Sequence, residues 1–459
     1  MDDARRLIRT MQHGAGPRRY SRREMLALLG RGAMVAPFAG WGLAGCGGGS
    51  SAGSGTGGGS SGSGSGLTDD QLLDAIERGA FEFFYNEADQ TTGLIKDRAL
   101  AAGGDTSTLA SIASTGFGLT GLCIGDLRGY APTQQIESRV LATLTFLYNT
   151  MPNENGFFYH FVDMGTGARA GTSEVSSIDT AILLCGILTC RQHFSSNTQI
   201  VSLATQIYER VNWPWMMDGG TTLSMGWLPE SGFLQYRWNT YDEEMMLYLL
   251  AMASPTHAIP ASSWDAFSRP TITYQGITYI AGAPTLMIHQ YSQAWFDFRN
   301  KQDAYANYFQ NSVDATKAHE LFCVSLAPQF SDYSAELWGI TPSDSVNGYV
   351  SWGGPPTTGP IDGTVVPCAA GGSVVFAFTD CMTVLHTMKQ NYPNAWQVYG
   401  FVDAFNPLTG WYDADSLGID QGIMMLMAEN QRSGYVWSTF MQNPEATAGL
   451  QLAGFKTIA

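Results

Sequence analysis

Acidic side chains recur beside aromatic ones along this chain. Asp163 follows Phe157, Phe158, Tyr159 and Phe161. Glu174 and Asp179 stand in SEVSSIDT, and Asp242, Glu243 and Glu244 in NTYDEEMMLYLL. Asp297 and Arg299 stand in HQYSQAWFDFRN, Asp344 in WGITPSDS, and Asp413 and Asp420 in WYDADSLGIDQG. Carboxylates accept hydrogen bonds from hydroxyl groups, and aromatic faces pack on the C–H faces of sugar rings. Two opposed carboxyl groups can also hydrolyse an acetal by acid/base catalysis. This composition suits a site for a neutral, polyhydroxylated substrate. No Ser/His/Asp nucleophile elbow stands out, no C-x-x-C occurs, and no Cys/His cluster has zinc spacing. The residues call for no metal and no cofactor.

Each of these positions also has a structural reading. Thr240-x-x-Glu243 has the spacing of a capping box, in which Glu243 would serve a helix N-terminus. Ser176-x-x-Asp179 fits the same role, with Asp favoured by the helix dipole. Gly418 and Gly422 place Asp420 at a turn-to-helix junction where Asp is a common cap. Glu243 and Glu244 would point about 100° apart on a helix, so only one of them can face a given pocket. Asp297 with Arg299 reads as a structural or sugar-binding pair, and His289 as a hydrogen-bonding residue. Trp295, Trp338, Trp352 and Trp411 are sugar platforms or core residues.

The elements that must carry these residues are helical. Leu72, Leu73, Ile76, Ala80, Phe83 and Phe84 form a 3.6-residue stripe. Similar stripes cover roughly residues 107–127, 134–150, 176–192, 199–211, 240–253, 301–320, 369–390 and 418–440. Thr180 to Cys190 and Glu244 to Ala253 are apolar nearly all round, which implies burial on both sides. Long aromatic, Gly/Pro-rich loops separate them, and loops of that length in a compact domain are usually functional. Buried inner helices with long loops at one end fit an all-α, (α/α)6 toroid, a single large domain of six inner helices ringed by six outer ones. A helical bundle with subdomains is the alternative.

Charge narrows the partners. The 459 residues carry a net charge of −16, and only 14% are charged against about 25% in a typical domain. The first 45 residues hold eight Arg and three acids, which leaves a strongly acidic body. Such a body is a poor partner for nucleic acid or an anionic membrane surface. Residues 1–45 resemble a twin-arginine export signal: Ser21-Arg22-Arg23-Glu24-Met25-Leu26, then a weakly apolar stretch shorter than the ~20 residues that span a bilayer. Leu43-Ala44-Gly45-Cys46 resembles a lipobox with Cys46 as the lipidated residue. Residues 46–66 form that Cys plus a Gly/Ser tether, with an r.m.s. reach of roughly 25 Å. The expectation is an exported bacterial lipoprotein, periplasmic or at the cell surface, with a catalytic body at 67–459. The six other cysteines read mostly as small buried hydrophobes.

SIASTGFGLTGL, GFFYHFVDMGTGAR, SEVSSIDTAILLCGIL, YDEEMMLYLLAMASPTH, IHQYSQAWFDFRNK, LWGITPSDSVNGY and WYDADSLGIDQGIMMLMAEN occur in that order. From about residue 70 to about 455 the chain resembles the bacterial glucoamylase-like domain, which includes the endo-β-1,2-glucanases of glycoside hydrolase family 144. The resemblance implies an (α/α)6 toroid and inverting hydrolysis of glucosidic bonds, with β-1,2-glucan or its oligosaccharides as substrate. It matches Glu243 to the general acid and Asp420 to the general base. It places Glu174 and Asp179 along the pocket, with Asp163, Tyr241, His289, Trp295, Arg299, Trp338 and Trp411 as the remaining substrate-binding candidates. Two other classes stand beside the hydrolase. A non-catalytic glycan-binding lipoprotein would not need two opposed acids. A polysaccharide lyase would need cationic groups for a uronate, which this body lacks.

Overall fold

The computed structural model describes residues 66–356 and 359–458; the leader, Cys46 and the Gly/Ser tether up to residue 65 lie outside the described residues. Six helices are buried around nearly their whole circumference. They are α2 (Ile112–Arg128), α4 (Ser177–His193), α7 (Met245–Met252), α8 (Met287–Trp295), α10 (Pro367–Gly371) and α12 (Gly418–Arg432). Six more bury a single face: α1 (Asp69–Asn86), α3 (Thr133–Asn149), α5 (Thr198–Glu209), α9 (Tyr308–Ser325), α11 (Phe378–Asn391) and α14 (Pro444–Leu452). Two short connectors, α6 (Trp213–Met216) and α13 (Tyr435–Phe440), complete the set.

The fully buried helices form a closed ring. α2 packs on α4, α4 on α7, α10 on α12, and α12 on α2. Hydrogen bonds close the two other joints: Ser292 Oγ on α8 donates to the Glu243 carbonyl ahead of α7 at 2.8 Å, and Gln290 Nε2 on α8 donates to the Ala369 carbonyl on α10 at 3.0 Å. The half-buried helices lie outside, so the architecture is an (α/α)6 toroid in one domain. Its chain order has one irregularity. No outer helix follows α7; the C-terminal α14 covers it instead. Gly449 permits that closure, since a Cβ there would lie 2.6 Å from the Leu249 carbonyl oxygen.

Several element boundaries differ from the sequence reading. The stripe at 369–390 is an inner helix, a turn and an outer helix. The stripe at 418–440 breaks at Gly434, whose φ of +70° ends α12 and starts α13. Helix α8 gave no apolar stripe because it buries His289, Gln290, Ser292 and Gln293 among its apolar residues. Their amide N–H groups are satisfied by neighbouring elements, as when Gln293 Nε2 donates to the Tyr308 carbonyl at 2.9 Å. The strands are short, four residues at most, and three of them (109–111, 175–176 and 415–417) lead directly into α2, α4 and α12. The six cysteines of the described residues are buried and unbridged. No helix among the described residues is long and apolar enough to cross a membrane.

Candidate active site

The N-terminal ends of the inner helices meet at one mouth of the ring. The Gly418 N–H donates to the Asp97 carbonyl at 2.8 Å, while a Cβ on Gly418 would overlap the Ser114 hydroxyl of α2. The Ile112 N–H donates to the His160 carbonyl, and the Ser177 N–H to the Met225 carbonyl. Met287 and Tyr291 of α8, Cys368 of α10, and Ile419 with Asp420 of α12 line one recess, walled by Thr341 and Tyr349 from the loop above. Helix N-termini concentrate unpaired N–H groups and partial positive charge, a setting that favours carboxylates and oxygen-rich ligands.

Asp420 sits in the first turn of α12 and is 4% exposed. The buried Asp403 stands close enough for its carboxyl to be raised by the charge of Asp420. Asp403 Oδ2 also accepts the Asp344 N–H at 2.6 Å. The antiparallel pairing of 98–100 with 415–417 brings Arg98 to the cluster. The Arg98 guanidinium bonds Asp97 at 2.9 Å, pairs with Asp344, and lies 4.0 Å from Asp415. One guanidinium cannot hold all these carboxylates ionised. Burial, followed by the charge of Asp420, pushes the Asp403 carboxyl well above its ordinary range. Burial and Asp344 push Asp413 up to about 7.

Asp242, Glu243 and Glu244 stand ahead of α7, and the two glutamates differ in burial. Helix α7 begins at Met245, so Glu243 precedes it and is not the fourth member of a capping box. Thr240 instead accepts a hydrogen bond from the Ser268 hydroxyl at 3.1 Å. Glu244 has no exposed surface, and its carboxyl accepts the Asp242 N–H at 2.6 Å. Burial, followed by the charge of Asp242, pushes its pKa up from the ordinary carboxylate range. Glu243 keeps 5% of its surface in contact with solvent, and its backbone carbonyl is pinned by Ser292 of α8. Glu243 thus stands just ahead of α7, and Asp420 in the first turn of α12. Because burial disfavours the charged form of Glu244 and an amide keeps the acceptor, Glu244→Gln is expected to change stability by less than about 1 kcal/mol, whereas Glu244→Ala costs about 2–3 kcal/mol through the lost acceptor and the cavity. Thermal unfolding of the two variants checks this.

A third group guards the entrance to α4. His160 Nδ1 lies 3.1 Å from Glu174 Oε1 and 3.6 Å from Asp179 Oδ2. Ser176 caps the helix by accepting the Asp179 N–H at 3.1 Å and donates its hydroxyl proton to the Asp179 carboxylate. Ser176 is therefore the N-cap of α4, while the Asp179 carboxylate takes the Ser176 hydroxyl and stands near His160. The donor atoms of His160, Glu174 and Asp179, like those of Asp344, Asp403 and Asp413, are close enough together to ligate a cation.

Glu243, Asp420, Glu174 and Asp179 are brought to one end of the ring. Several other expected contacts are not. Trp295 ends α8 at the far end of that helix, fully buried, with its indole N–H on Thr120 Oγ1 at 3.0 Å. Trp338 and Tyr241 are also fully buried and leave no face for a sugar ring. His289 is enclosed, 3.3 Å from the Tyr241 hydroxyl, and burial lowers its pKa to about 3, so it stays neutral and structural. Arg299 lies beyond the C-terminal end of α8, forked on Asp297 and stacked over Trp437, on the wrong side for the mouth. Asp163 spends its carboxylate on the turn at Thr166, accepting the backbone N–H at 3.0 Å and the hydroxyl at 2.8 Å. Trp411 is half-buried in the 405–412 hairpin that leads to Asp413.

His160, Asp403 and Arg98 were missed from the sequence. A signal existed for two of them: His160 and Asp403 are single polar residues inside the apolar runs FFYHFV and GFVDAF, and a buried ionisable group requires a partner.

Known proteins share this fold. Residues 235–444 match the family model described as "Putative glucoamylase". The exo-β-1,2-glucooligosaccharide sophorohydrolase (non-reducing end) of Parabacteroides distasonis is 27% identical over 425 residues, 84% of this chain; the chain spans 58% of that relative's length. The endo-β-1,2-glucanase of Chitinophaga pinensis, solved with sophorotriose and glucose, superposes with a TM-score of 0.79 at 26% identity. That match covers 85% of this chain and 99% of the other. A Bacteroides fragilis protein described as a putative glucoamylase superposes with a TM-score of 0.79 at 28% identity, covering 87% of this chain and 100% of that one.

Proposed function

We propose that this glucoamylase-like chain is an inverting glycoside hydrolase acting on β-1,2-glucan or its oligosaccharides. What supports the reading is a pair of carboxyl residues at the N-terminal ends of inner helices, Glu243 just ahead of α7 and Asp420 in the first turn of α12. The activities printed for the P. distasonis and C. pinensis relatives support the linkage. In this reading Glu243 delivers a proton to the leaving glycosidic oxygen. Asp420 removes a proton from water attacking the opposite face of the sugar, so the new hydroxyl forms with inverted configuration. Direct transfer asks for about 6.5–9.5 Å between the carboxyl groups; a wider gap is bridged by a sugar hydroxyl or water that relays the proton. Glu174, Asp179 and His160 supply hydrogen bonds to sugar hydroxyls beside them. SRREML and LAGC support export and lipidation at Cys46, with the Gly/Ser tether holding the enzyme near a membrane.

The test is the product profile on linear β-1,2-glucan, run beside starch and laminarin. Short sophoro-oligosaccharides, released first as the α-anomer by NMR, are expected. Cleavage of starch alone would replace the β-1,2 assignment with a glucoamylase one. Binding without products from any glucan would make the protein a glycan-binding lipoprotein.

A further inference from the structure

We propose that Cys123 and Cys190 form a disulfide in an oxidising compartment, a bond that staples inner helix α2 to inner helix α4. Their Sγ atoms lie 3.5 Å apart, and neither residue has exposed surface. The two helices run in the same direction, and residues 67 positions apart face each other along them. A Cβ on Gly116 would lie 2.7 Å from the Leu183 Cα, Cys123 meets Cys190, and one turn further on Asp126 Oδ2 lies 2.8 Å from His193 Nε2. The Cys190 sulfur also reaches the facing backbone, 3.5 Å from the Leu119 carbonyl. A disulfide needs the sulfurs to close to about 2.05 Å, a movement that rotation of the two side chains supplies. Cys185 faces a different group, the Met246 thioether at 3.9 Å, which forms no disulfide.

Forming the bond removes two hydrogen atoms, with two electrons, from the pair of thiols. A disulfide-bonded oxidant, such as oxidised glutathione or a disulfide oxidoreductase, accepts them and leaves as two thiols. One cysteine thiolate attacks the oxidant's disulfide and releases its first thiol. The other cysteine thiolate then attacks the mixed disulfide, makes the Cys123–Cys190 bond and expels the second thiol. In the closed ring, burial followed by the neighbouring Cys190 pushes the Cys123 thiol up from its ordinary range, so it holds its proton and is a weak nucleophile. The exchange therefore belongs to the folding chain, or to a ring that has opened. Once made, the bond joins positions 67 apart and removes freedom from the unfolded chain. It ties together the two helices that strands 109–111 and 175–176 lead into at the mouth. The staple does not depend on which glucan the mouth accepts.

The test is to refold the reduced full chain in a mixture of reduced and oxidised glutathione, beside a sample refolded in excess dithiothreitol. Each is then denatured in an alkylating agent, and its cysteine peptides are mapped by mass spectrometry. The expected oxidised product has Cys123 linked to Cys190, while Cys46, Cys185, Cys323, Cys368 and Cys381 are alkylated. Its thermal midpoint is expected to lie roughly 5 °C above that of the dithiothreitol sample. In Cys123→Ala and in Cys190→Ala the two buffers should give equal midpoints. Folded product with both cysteines alkylated, or with either joined to another cysteine, overturns the proposal. A linked product no more heat-resistant than the reduced one overturns the staple. Should the chain not regain its helical circular dichroism on refolding, native protein held with oxidised glutathione in urea below its unfolding midpoint yields the same peptide map and decides.

Discussion

Replacing Glu243 by glutamine is expected to lower kcat on linear β-1,2-glucan by about 10³-fold with KM little changed. A general acid supplies 10²–10⁴-fold of rate, and an amide of the same shape cannot deliver its proton. The adjacent Glu244→Gln is the matched comparison, expected to keep kcat within about threefold, because Glu244 has no exposed surface and its carboxyl is taken up by the Asp242 N–H. Measuring both variants under one condition separates chemistry from folding. An active Glu243→Gln enzyme beside an inactive Glu244→Gln enzyme would reverse the assignment. A substrate with an activated aryl leaving group, which needs little protonation, should recover much of the Glu243→Gln loss.

The second large effect is one of stability. Helices α2 and α4 cross through a pair of glycines. A Cβ on Gly186 would lie 2.1 Å from the Gly116 carbonyl oxygen and 3.0 Å from the Gly116 Cα, while one on Gly116 would lie 2.5 Å from the Ile182 oxygen. Every atom met is backbone, so no side-chain rotation relieves the contact. Alanine would raise intrinsic helix propensity by about 1 kcal/mol, but parting two buried helices costs about 3 kcal/mol or more. The overlap wins, and Gly186→Ala is expected to destabilise by a net ~2 kcal/mol or more. Gly165→Ala, whose nearest neighbour would be 3.6 Å away, should lie within about 0.5 kcal/mol of wild type. Thermal unfolding of the two variants measures the contrast; equal midpoints would remove the glycine crossing as a structural requirement. Because α4 carries Asp179 into the mouth, Gly186→Ala should also lower activity below its melting range.

The helices with the strongest patterns were legible for a simple reason. Apolar all-round runs such as 180–190 and 244–253 have no exposed face to solvate, so they become inner helices. Stripes such as that of Leu72, Ile76 and Phe83 leave one polar face and become outer ones. Helix α8 was not legible because its buried Gln and Ser side chains are balanced only by partners on α7, α9 and α10. Aromatic residues were the least legible part of the site. A tryptophan suits a sugar platform and a core equally well, and burial alone separates Trp295 and Trp338 from a binding surface.

The amino-acid sequence by itself determined an all-helical body, the two most apolar inner helices, and the acids that open α4 and α12, since these depend on local periodicity and on residues a few positions apart. Only the tertiary structure decided that Glu243 rather than Glu244 reaches solvent, because that depends on where α7 starts. It alone gathered Arg98, Asp344, Asp403 and Asp420 into one cluster. Residues separated by more than 240 positions, as Arg98 and Asp344 are, meet only when the ring closes, and the charge each can carry follows from that meeting.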